Sequence, residues 1–371
     1  MRKHLTLLAT TFLLAFSLPI FIAPSFGQGV FESDAQFGGA WANSGSWTLV
    51  SGSDGDGVPD GDDEVTIRSS DTIFNNGTFE VDNLTVNGTL TDVDASSTLT
   101  VNGSTFDING SYNDDDGGSL IFTANTTVGG TGTITISNPT INSGASVTLA
   151  NDITFSGNNF EINGDLDTET NSATVTASGN GGQRIFGGAS SVVFNKFVNN
   201  RKGFGLRVDI DAVFKRLEGG NNSTLRLGDN GDTDAFTFAV EDVPTNSVAV
   251  PNLLVIQGGA TVSLNGPTVD GTTTSASTEA LGVGSLQING GSGGAPDGEL
   301  ILSSAGGNVT ISGDLTQNGP IVQNGEAVEF NPGSGNTSSI SSTSASLAFD
   351  DFTHSGGGTV QLDLPISVSG N

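Results

Sequence analysis

The sequence predicts an all-β protein, a parallel β-solenoid (β-helix) built from short, irregular turns. A seven-residue phrase of alternating apolar and polar residues that contains Asn-Gly or Ser-Gly recurs at residues 84–90, 106–112, 160–166 and 309–315. The first two copies start 22 residues apart, the length of one solenoid turn with two or three short strands. Helical periodicity is almost absent between residues 65 and 177. Short strands repeating at this period predict stacked turns.

Each phrase predicts two short strands joined by a turn. Alternation at period two is typical of a strand with one buried face, so we expect Leu84 and Val86 to point inwards. Asn87 and Gly88 follow, and we expect this dipeptide to adopt positive φ and redirect the chain. One turn cannot bury its inward Val, Ile, Leu and Phe residues alone, so neighbouring turns are expected to complete the core.

The Asn-Gly pairs leave a second fold open. If they form hairpin turns, the chain folds into tandem antiparallel β-sandwich modules instead. Variable spacing, recurring Phe and Leu, and the absence of Trp from the repeats favour the solenoid.

Residues 1–27 have the features of a secretory signal peptide. Arg2 and Lys3 precede an apolar run over residues 5–23, and Ser25 and Gly27 fit the small residues of a cleavage site. An uncleaved membrane anchor is the alternative, because the run approaches the length of a bilayer span. No later stretch is long and apolar enough to cross a membrane. We therefore expect an exported protein, extracellular or on the cell surface.

The composition of the chain argues against several classes of partner, catalytic site and metal site. The formal net charge is −29, which argues against nucleic acid or an anionic lipid surface as a partner. The chain has no cysteine, which excludes disulfides, thiolate nucleophiles and cysteine-based metal sites. His354 is the only histidine after residue 27, so we expect neither a Ser-His-Asp triad nor a histidine metal site. No catalytic set of residues stands out.

Residues 28–64 are expected to form an N-terminal cap with an acidic loop, followed by solenoid repeats over residues 65–371. The cap holds both tryptophans, Trp41 and Trp47. Large aromatic side chains can cover the open first face of a repeat stack. A platform on which a carbohydrate stacks is the alternative interpretation of the pair.

The acidic loop, residues 54–64, is the most ligand-like stretch of the sequence. A twelve-residue calcium loop counted from Gly52 places four carboxylates at ligand positions 3, 5, 9 and 12: Asp54, Asp56, Asp60 and Asp63. Position 1 is glycine and no helix pattern flanks the loop, so it is not an EF-hand. The Asp-Gly-Asp-Gly-x-x-Asp spacing resembles one loop of calcium-binding thrombospondin-type repeats. Ca²⁺ is the only cofactor that the sequence suggests, and an acidic turn without metal is the alternative.

A longer repeat of about 155 residues contains the shorter turns. Three apolar residues have counterparts at this offset: Ile185 and Ile340, Phe194 and Phe349, and Phe197 and Phe352. The sequence stops in mid-phrase at residue 371. We therefore expect a fragment whose further repeats, and any sorting or anchoring domain, lie beyond the given end.

Most of the cationic residues are concentrated in one segment, residues 184–226, which we name the basic island. Eight of the eleven Lys and Arg residues lie there: Arg184, Lys196, Arg201, Lys202, Arg207, Lys215, Arg216 and Arg226. Asp209, Asp211 and Glu218 accompany them. Such sets bind uronates and stabilise developing charge in enzymes that act on acidic polysaccharides. A solvated patch paired with the surrounding acids is the alternative.

The sequence resembles the secreted bacterial β-solenoid surface proteins, including adhesin-like and autotransporter-like chains. The segment around Trp47, residues 59–67 and the recurrent Val-Asn-Gly-Thr-Leu phrase carry the likeness. The resemblance implies a right-handed parallel β-helix, export, and surface display or adhesion. It assigns no catalytic residue.

We expect a secreted cell-surface structural or adhesin-like repeat protein without catalytic activity, with surface glycans or the surfaces of other cells as partners. The alternative is a β-helix protein that binds or degrades polysaccharide at the basic island. The two differ in whether six residues converge on one groove: Lys196, Arg201, Lys202, Arg207, Asp209 and Asp211.

Overall fold

The computed structural model has the predicted fold, a parallel β-solenoid. It describes residues 28–35, 38–114, 117–202, 204–220, 223–228, 236–242, 253–258, 260–264, 281–291, 296–302 and 309–370. Residues 1–27, with the predicted signal peptide, lie outside this set. A 3-10 turn at Ser44–Ser46 is the only helical element among the described residues. No helix with the length and apolar character of a membrane span occurs in the described part of the chain.

The strands are short, and most contain three to five residues. The first fourteen are Gly29–Ser33 (β1), Gly39–Ala40 (β2), Trp47–Gly52 (β3), Glu64–Ile67 (β4), Thr72–Asn75 (β5), Thr78–Val81 (β6), Asn83–Val86 (β7), Thr89–Asp92 (β8), Thr98–Val101 (β9), Thr105–Ile108 (β10), Ser111–Asn113 (β11), Ser119–Phe122 (β12), Thr126–Gly129 (β13) and Thr133–Ile136 (β14). The next fourteen are Asn138–Ile141 (β15), Ser146–Leu149 (β16), Ile153–Phe155 (β17), Asn159–Ile162 (β18), Asp165–Asp167 (β19), Thr174–Ala177 (β20), Gln183–Phe186 (β21), Val192–Phe194 (β22), Lys196–Asn199 (β23), Leu206–Asp209 (β24), Ala212–Gly219 (β25), Thr224–Leu227 (β26), Phe236–Asp242 (β27) and Leu253–Ile256 (β28). The last thirteen are Ala260–Leu264 (β29), Leu281–Val283 (β30), Ser285–Ile288 (β31), Glu299–Leu302 (β32), Val309–Ile311 (β33), Leu315–Gln317 (β34), Ile321–Val322 (β35), Ala327–Phe330 (β36), Thr337–Ser341 (β37), Leu347–Phe349 (β38), Asp351–His354 (β39), Thr359–Leu362 (β40) and Ile366–Val368 (β41).

Successive strands lie on three faces of the coil. Face 1 includes β4, β7 and β10, face 2 includes β5, β8 and β11, and face 3 begins with β6, β9 and β12. The strands of neighbouring turns on one face pair in parallel, and the one antiparallel pair among the described strands joins β3 to β1. Face 3 is a continuous sheet of 13 strands from β6 to β40. Faces 1 and 2 are joined because β25 bends around a corner and pairs with β22 on one face and β23 on the other.

The 22-residue spacing of the repeated phrase is one turn of the coil. Leu84 of β7 pairs in register with Phe106 of β10, and Phe106 pairs with Val128 of β13. All three side chains are buried, so equivalent inward residues stack along the core. The sandwich alternative is wrong, because the Asn-Gly pair at 87–88 joins strands of different faces rather than two partners of a hairpin.

The corner glycines are required for a reason that differs from the predicted one. The φ angles of Gly88 and Gly110 lie outside the left-handed region, so the expected positive φ is wrong at these corners. A Cβ at Gly110 would instead overlap the carbonyl oxygen of Gly88, one turn earlier. Beside them, the Nδ2 of Asn109 donates to the Oδ1 of Asn87 at 3.0 Å. Close backbone packing between turns therefore selects glycine, and asparagine links the turns.

Both tryptophans are buried in the first turn. Their ring centroids lie 5.0 Å apart in an edge-to-face arrangement, and Trp41 also stacks on Phe79 at 5.6 Å. The indole nitrogen of Trp47 donates to the carbonyl oxygen of Trp41 at 2.7 Å. The carbohydrate-platform interpretation is wrong, because a sugar needs an exposed ring face and neither ring has one.

The two members of the predicted 155-residue repeat have similar local packing. Phe194 and Phe197, on adjacent faces, have ring centroids 5.0 Å apart, and Phe349 and Phe352 have theirs 5.3 Å apart. In both pairs, a single residue lies between the strand that carries the first Phe and the strand that carries the second. The proposed domain boundaries and the expectation of a fragment stay predictions.

Candidate binding sites on the solenoid

The acidic loop leads directly into β4 and brings three of its four predicted ligands together. One carboxylate oxygen from each of Asp54, Asp60 and Asp63 lies within 4.8 Å of the others. Two oxygens bound to one Ca²⁺ at about 2.4 Å can be no farther apart than about this distance. The three carboxylates therefore fit a common cation.

Asp63 is the buried member of the group. Its Oδ1 accepts a hydrogen bond from the amide of Gly29 at 2.6 Å, and its Oδ2 accepts one from the amide of Asp60 at 2.8 Å. Burial raises the pKa of Asp63, the charges of Asp60 and Asp54 add to this, and the two amides partly offset it. A hydrogen bond with the Asp62 side chain, followed by burial, raises the pKa of Asp60. The loop thus holds negative charge that a cation would stabilise.

Asp56 is not a member of this group of three. Its Oδ1 accepts a hydrogen bond from the amide of Val58 at 2.8 Å, while the Oδ2 of Asp54 accepts from the amides of Asp56 and Gly57 at 3.2 and 2.5 Å. These bonds define the turn itself. Calcium binding by Asp54, Asp56, Asp60 and Asp63 stays a prediction, and the geometry brings Asp54, Asp60 and Asp63 together.

Arg201, a central member of the basic island, is not a surface residue. Its side chain is 1% exposed, and its guanidinium donates to the carbonyl oxygens of Ser156 at 2.8 Å, Gly181 at 3.0 Å and Ser178. Desolvation lowers its pKa. Arg201 therefore satisfies backbone carbonyls of the two preceding turns and is unable to contact a polysaccharide.

Three other arginines form a column on the outer surface of face 3, which we name the arginine column: Arg184, Arg207 and Arg226. They pair in register on the successive strands β21, β24 and β26. The Nε atoms of Arg184 and Arg207 lie 2.5 and 2.7 Å from the Oδ2 of Asp209, whose side chain is buried. One carboxylate therefore orients two of the three guanidinium groups.

Aromatic side chains lie beside the arginine column. The guanidinium carbon of Arg184 lies 4.5 Å from the ring centroid of Phe186. Phe204 precedes β24 and is 79% exposed, and its carbonyl oxygen accepts a hydrogen bond from the Nε of Arg226 at 3.4 Å. Cationic and aromatic groups thus share one outer surface of a protein that is acidic overall.

Two lysines of the island, Lys196 and Lys215, occupy a different part of the surface, the corner between faces 1 and 2, whereas Lys202 follows β23 and forms a β-bridge with Asn180. Lys196, Lys215 and Arg216 line an open depression of about 460 Å³ together with Asn195. Glu218 pairs with Lys196 at 3.1 Å and with Arg216 at 2.7 Å. Carboxylates therefore pair with cationic groups here too.

The six residues that would have defined a single groove do not converge. Arg201 is internal, Arg207 and Asp209 belong to face 3, and Lys196 belongs to face 2. Asp211 lies before β25 and accepts a hydrogen bond from the amide of Thr237 at 2.7 Å. These six residues are close in sequence, but the solenoid places them at different positions around its circumference. The in-register spacing of the arginines, about one turn each, was the signal from which the column could have been found.

Comparison with protein families, curated proteins and solved structures finds no match. The likeness to bacterial solenoid surface proteins therefore rests on the sequence features given above and on the solenoid fold. Functional conclusions must come from the surfaces of this chain.

Proposed function

We propose that this protein is a secreted, non-enzymatic surface protein whose solenoid acts as a stalk or adhesin. The observation that carries the proposal is the uninterrupted face 3, with 13 parallel strands in one sheet. At about 4.8 Å between strands, this face is about 60 Å long. Because every turn is held by its neighbours through backbone hydrogen bonds and stacked apolar residues, the unit is suited to giving reach without a disulfide.

Two further features support the proposal, one for the absence of catalysis and one for export. The cationic and acidic residues of the basic island lie on separate faces or in the interior, and several are paired with one another. The expected signal peptide at residues 1–27 supports export.

The experiment for this proposal is surface localisation of the natural protein together with an adhesion assay. Antibody labelling of intact cells is expected to detect the protein outside the membrane, and cells that lack it are expected to bind their target surface less well. A wholly internal location, or unchanged adhesion together with glycan-degrading activity of the purified chain, would overturn the proposal.

Recognition of an acidic glycan at the arginine column is the second candidate function. The specific observation is the set of three in-register arginines beside the exposed Phe204. Their spacing of about 4.8 Å is close to the length of one sugar residue, so a polyuronate chain lying along the coil axis can offer a carboxylate to each turn. The exposed ring supplies an apolar surface for a pyranose.

Binding of the full chain to polyuronate tests this candidate. We expect Arg226→Ala to weaken binding about tenfold, since a charge-assisted hydrogen bond contributes about 1.5 kcal/mol or more. Phe204→Ala is also expected to weaken it, and Lys202→Ala, which changes an exposed neighbour outside the column, is the matched control. Equal affinity for a neutral glycan, or equal loss in all three variants, would contradict recognition at the column. Cleavage of the polyuronate that is lost in Arg207→Ala would instead support a degrading enzyme.

A further inference from the structure

The interior of the solenoid contains a polar cluster where only apolar residues are expected. Asn75, Asp92 and Asp114 occupy inward positions at the end of face 2 on three successive turns, and each is 0% exposed. Asn75 pairs in register with Asp92. Asp114 directly follows β11, whose Asn113 pairs with Thr91. Two carboxyl groups are therefore stacked within the core.

Oxygen atoms of this cluster converge on a space beside Gly118. The point at which a Cβ of residue 118 would lie is 2.9 Å from the Oδ2 of Asp92, 3.0 Å from the Oδ1 of Asp114 and 3.1 Å from the carbonyl oxygen of Ser97. Because glycine has no Cβ, this space is not filled by residue 118 itself. An ion bound by these oxygens would lie on the side of that point away from the glycine Cα.

Neighbouring groups hold the two carboxylates in place. The hydroxyl of Tyr112 donates to the Oδ2 of Asp92 at 3.3 Å, and the amide of Ser137 donates to the Oδ2 of Asp114 at 3.0 Å. The Tyr112 hydroxyl and the Ser137 amide thus each hold one of the two carboxylates.

Asn75 provides an independent indication of a ligand. Both atoms of its side-chain amide are buried, and neither hydrogen-bonds to any residue that the structure describes. A buried amide without partners costs about 1–3 kcal/mol. Asn75 lies next to Asp92 in register on the inward side of β5, so its side chain is adjacent to that of Asp92.

We propose that this cluster binds a calcium ion inside the solenoid. The ligands are carboxylate oxygens of Asp92 and Asp114, the carbonyl oxygen of Ser97 and the amide oxygen of Asn75. Oxygen-only ligands select a hard cation, and two carboxylates match a divalent charge. Calcium tolerates the irregular geometry of such a site, whereas magnesium demands near-ideal octahedral ligands and retains water.

The ion would link three turns of the coil from within. It would connect β5, β8 and the segment after β11 with the loop that holds Ser97, and it would stabilise the N-terminal part of the solenoid. This internal site is separate from the acidic loop, which precedes β4. Calcium would therefore act as a structural cofactor of the fold, whatever the outer surfaces bind.

The experiment measures calcium retained by the full chain after refolding. Asp60→Asn and Asp63→Asn are introduced first, so that the acidic loop no longer contributes. The chain is refolded from chelator into calcium, passed through gel filtration and analysed by mass spectrometry for metal content. We expect about one calcium per chain. This ion should be lost in the Asp92→Asn/Asp114→Asn double variant and in Gly118→Ala, which fills the space while keeping both carboxylates.

Gly188→Ala is the matched control, because a Cβ there would meet only the Oδ1 of Asn163, at 3.5 Å. It is expected to retain calcium. Folded background protein without calcium, or undiminished calcium in both site variants, would overturn the proposal. If the site variants fail to fold, hydrogen exchange over residues 72–122 of the Asp60→Asn/Asp63→Asn chain tests whether calcium binds at the internal site. Exchange slowed by calcium supports the site, and exchange that is the same with calcium and with chelator refutes it.

Discussion

Replacement of Arg201 by alanine tests the conclusion that the centre of the basic island is structural. The guanidinium donates to carbonyl oxygens of Ser156, Ser178 and Gly181, which belong to the two preceding turns. A hydrogen bond that involves a charged group contributes about 1.5–3 kcal/mol. The free-energy cost of desolvating the guanidinium opposes the summed contribution of these hydrogen bonds. In the variant, water that enters the space left by the side chain replaces part of that contribution. We therefore expect Arg201→Ala to lower the free energy of unfolding by about 3–5 kcal/mol.

The loss is expected to be local, because each solenoid turn contacts only its neighbours. Hydrogen exchange followed by mass spectrometry should show faster exchange in β17, β20 and β21, with little change near either end of the described chain. Arg201→Met keeps the aliphatic stem and separates lost packing from lost hydrogen bonds. Lys202→Ala removes an exposed neighbouring cation and should cost less than about 0.5 kcal/mol. A similar small loss for Arg201→Ala would refute the reasoning.

Three other predictions concern the core, the corners and the acidic loop. Phe106→Ala, at a fully buried position, should destabilise the fold by about 3–5 kcal/mol in denaturant titrations, and a loss below about 1 kcal/mol would contradict the stacked core. Gly110→Ala should markedly lower the Tm because its Cβ overlaps a neighbouring carbonyl, whereas Gly188→Ala should leave the Tm nearly unchanged. Asp60 and Asp63 have raised folded pKa values, so the folded state binds protons more tightly. Without calcium, the free energy of unfolding should fall as pH rises from the ordinary value of 3.8 through the raised pKa. Millimolar calcium should reverse this loss in calorimetry, and Asp60→Asn should weaken the calcium effect; a Tm independent of both would contradict a cation site.

The repeat pattern was sufficient to predict the fold because it indicates both which residues point inwards and which residues of successive turns pair with each other. Alternation fixed the inward residues of β7 and β10, and the 22-residue spacing fixed their register. The physical role of the corner glycines was not predictable from local propensity. Gly110 is required by a carbonyl of the preceding turn, a contact that exists only after the turns stack.

Of the candidate sites, the sequence analysis identified the one whose residues are close in sequence. Asp54, Asp60 and Asp63 come from one loop, and the spacing of their side chains was readable. The arginine column comes from three different turns, and the buried pair Asp92 and Asp114 occupies positions that alternation alone assigns to apolar residues. Such sites depend on register between turns.

Cysteine cross-linking between stacked turns tests the central claim most directly. The chain has no natural cysteine, so an introduced pair reports on one contact. Thr85 and Asp107 are in-register neighbours on the outer surface of face 1, with Cα atoms at about the 4.8 Å strand spacing, which is within disulfide range. Thr85→Cys/Asp107→Cys should form a disulfide rapidly under mild oxidation, and Thr85→Cys/Thr148→Cys, separated by further turns, should not. Failure of the first pair, or equal cross-linking of both, would contradict the stacked parallel coil.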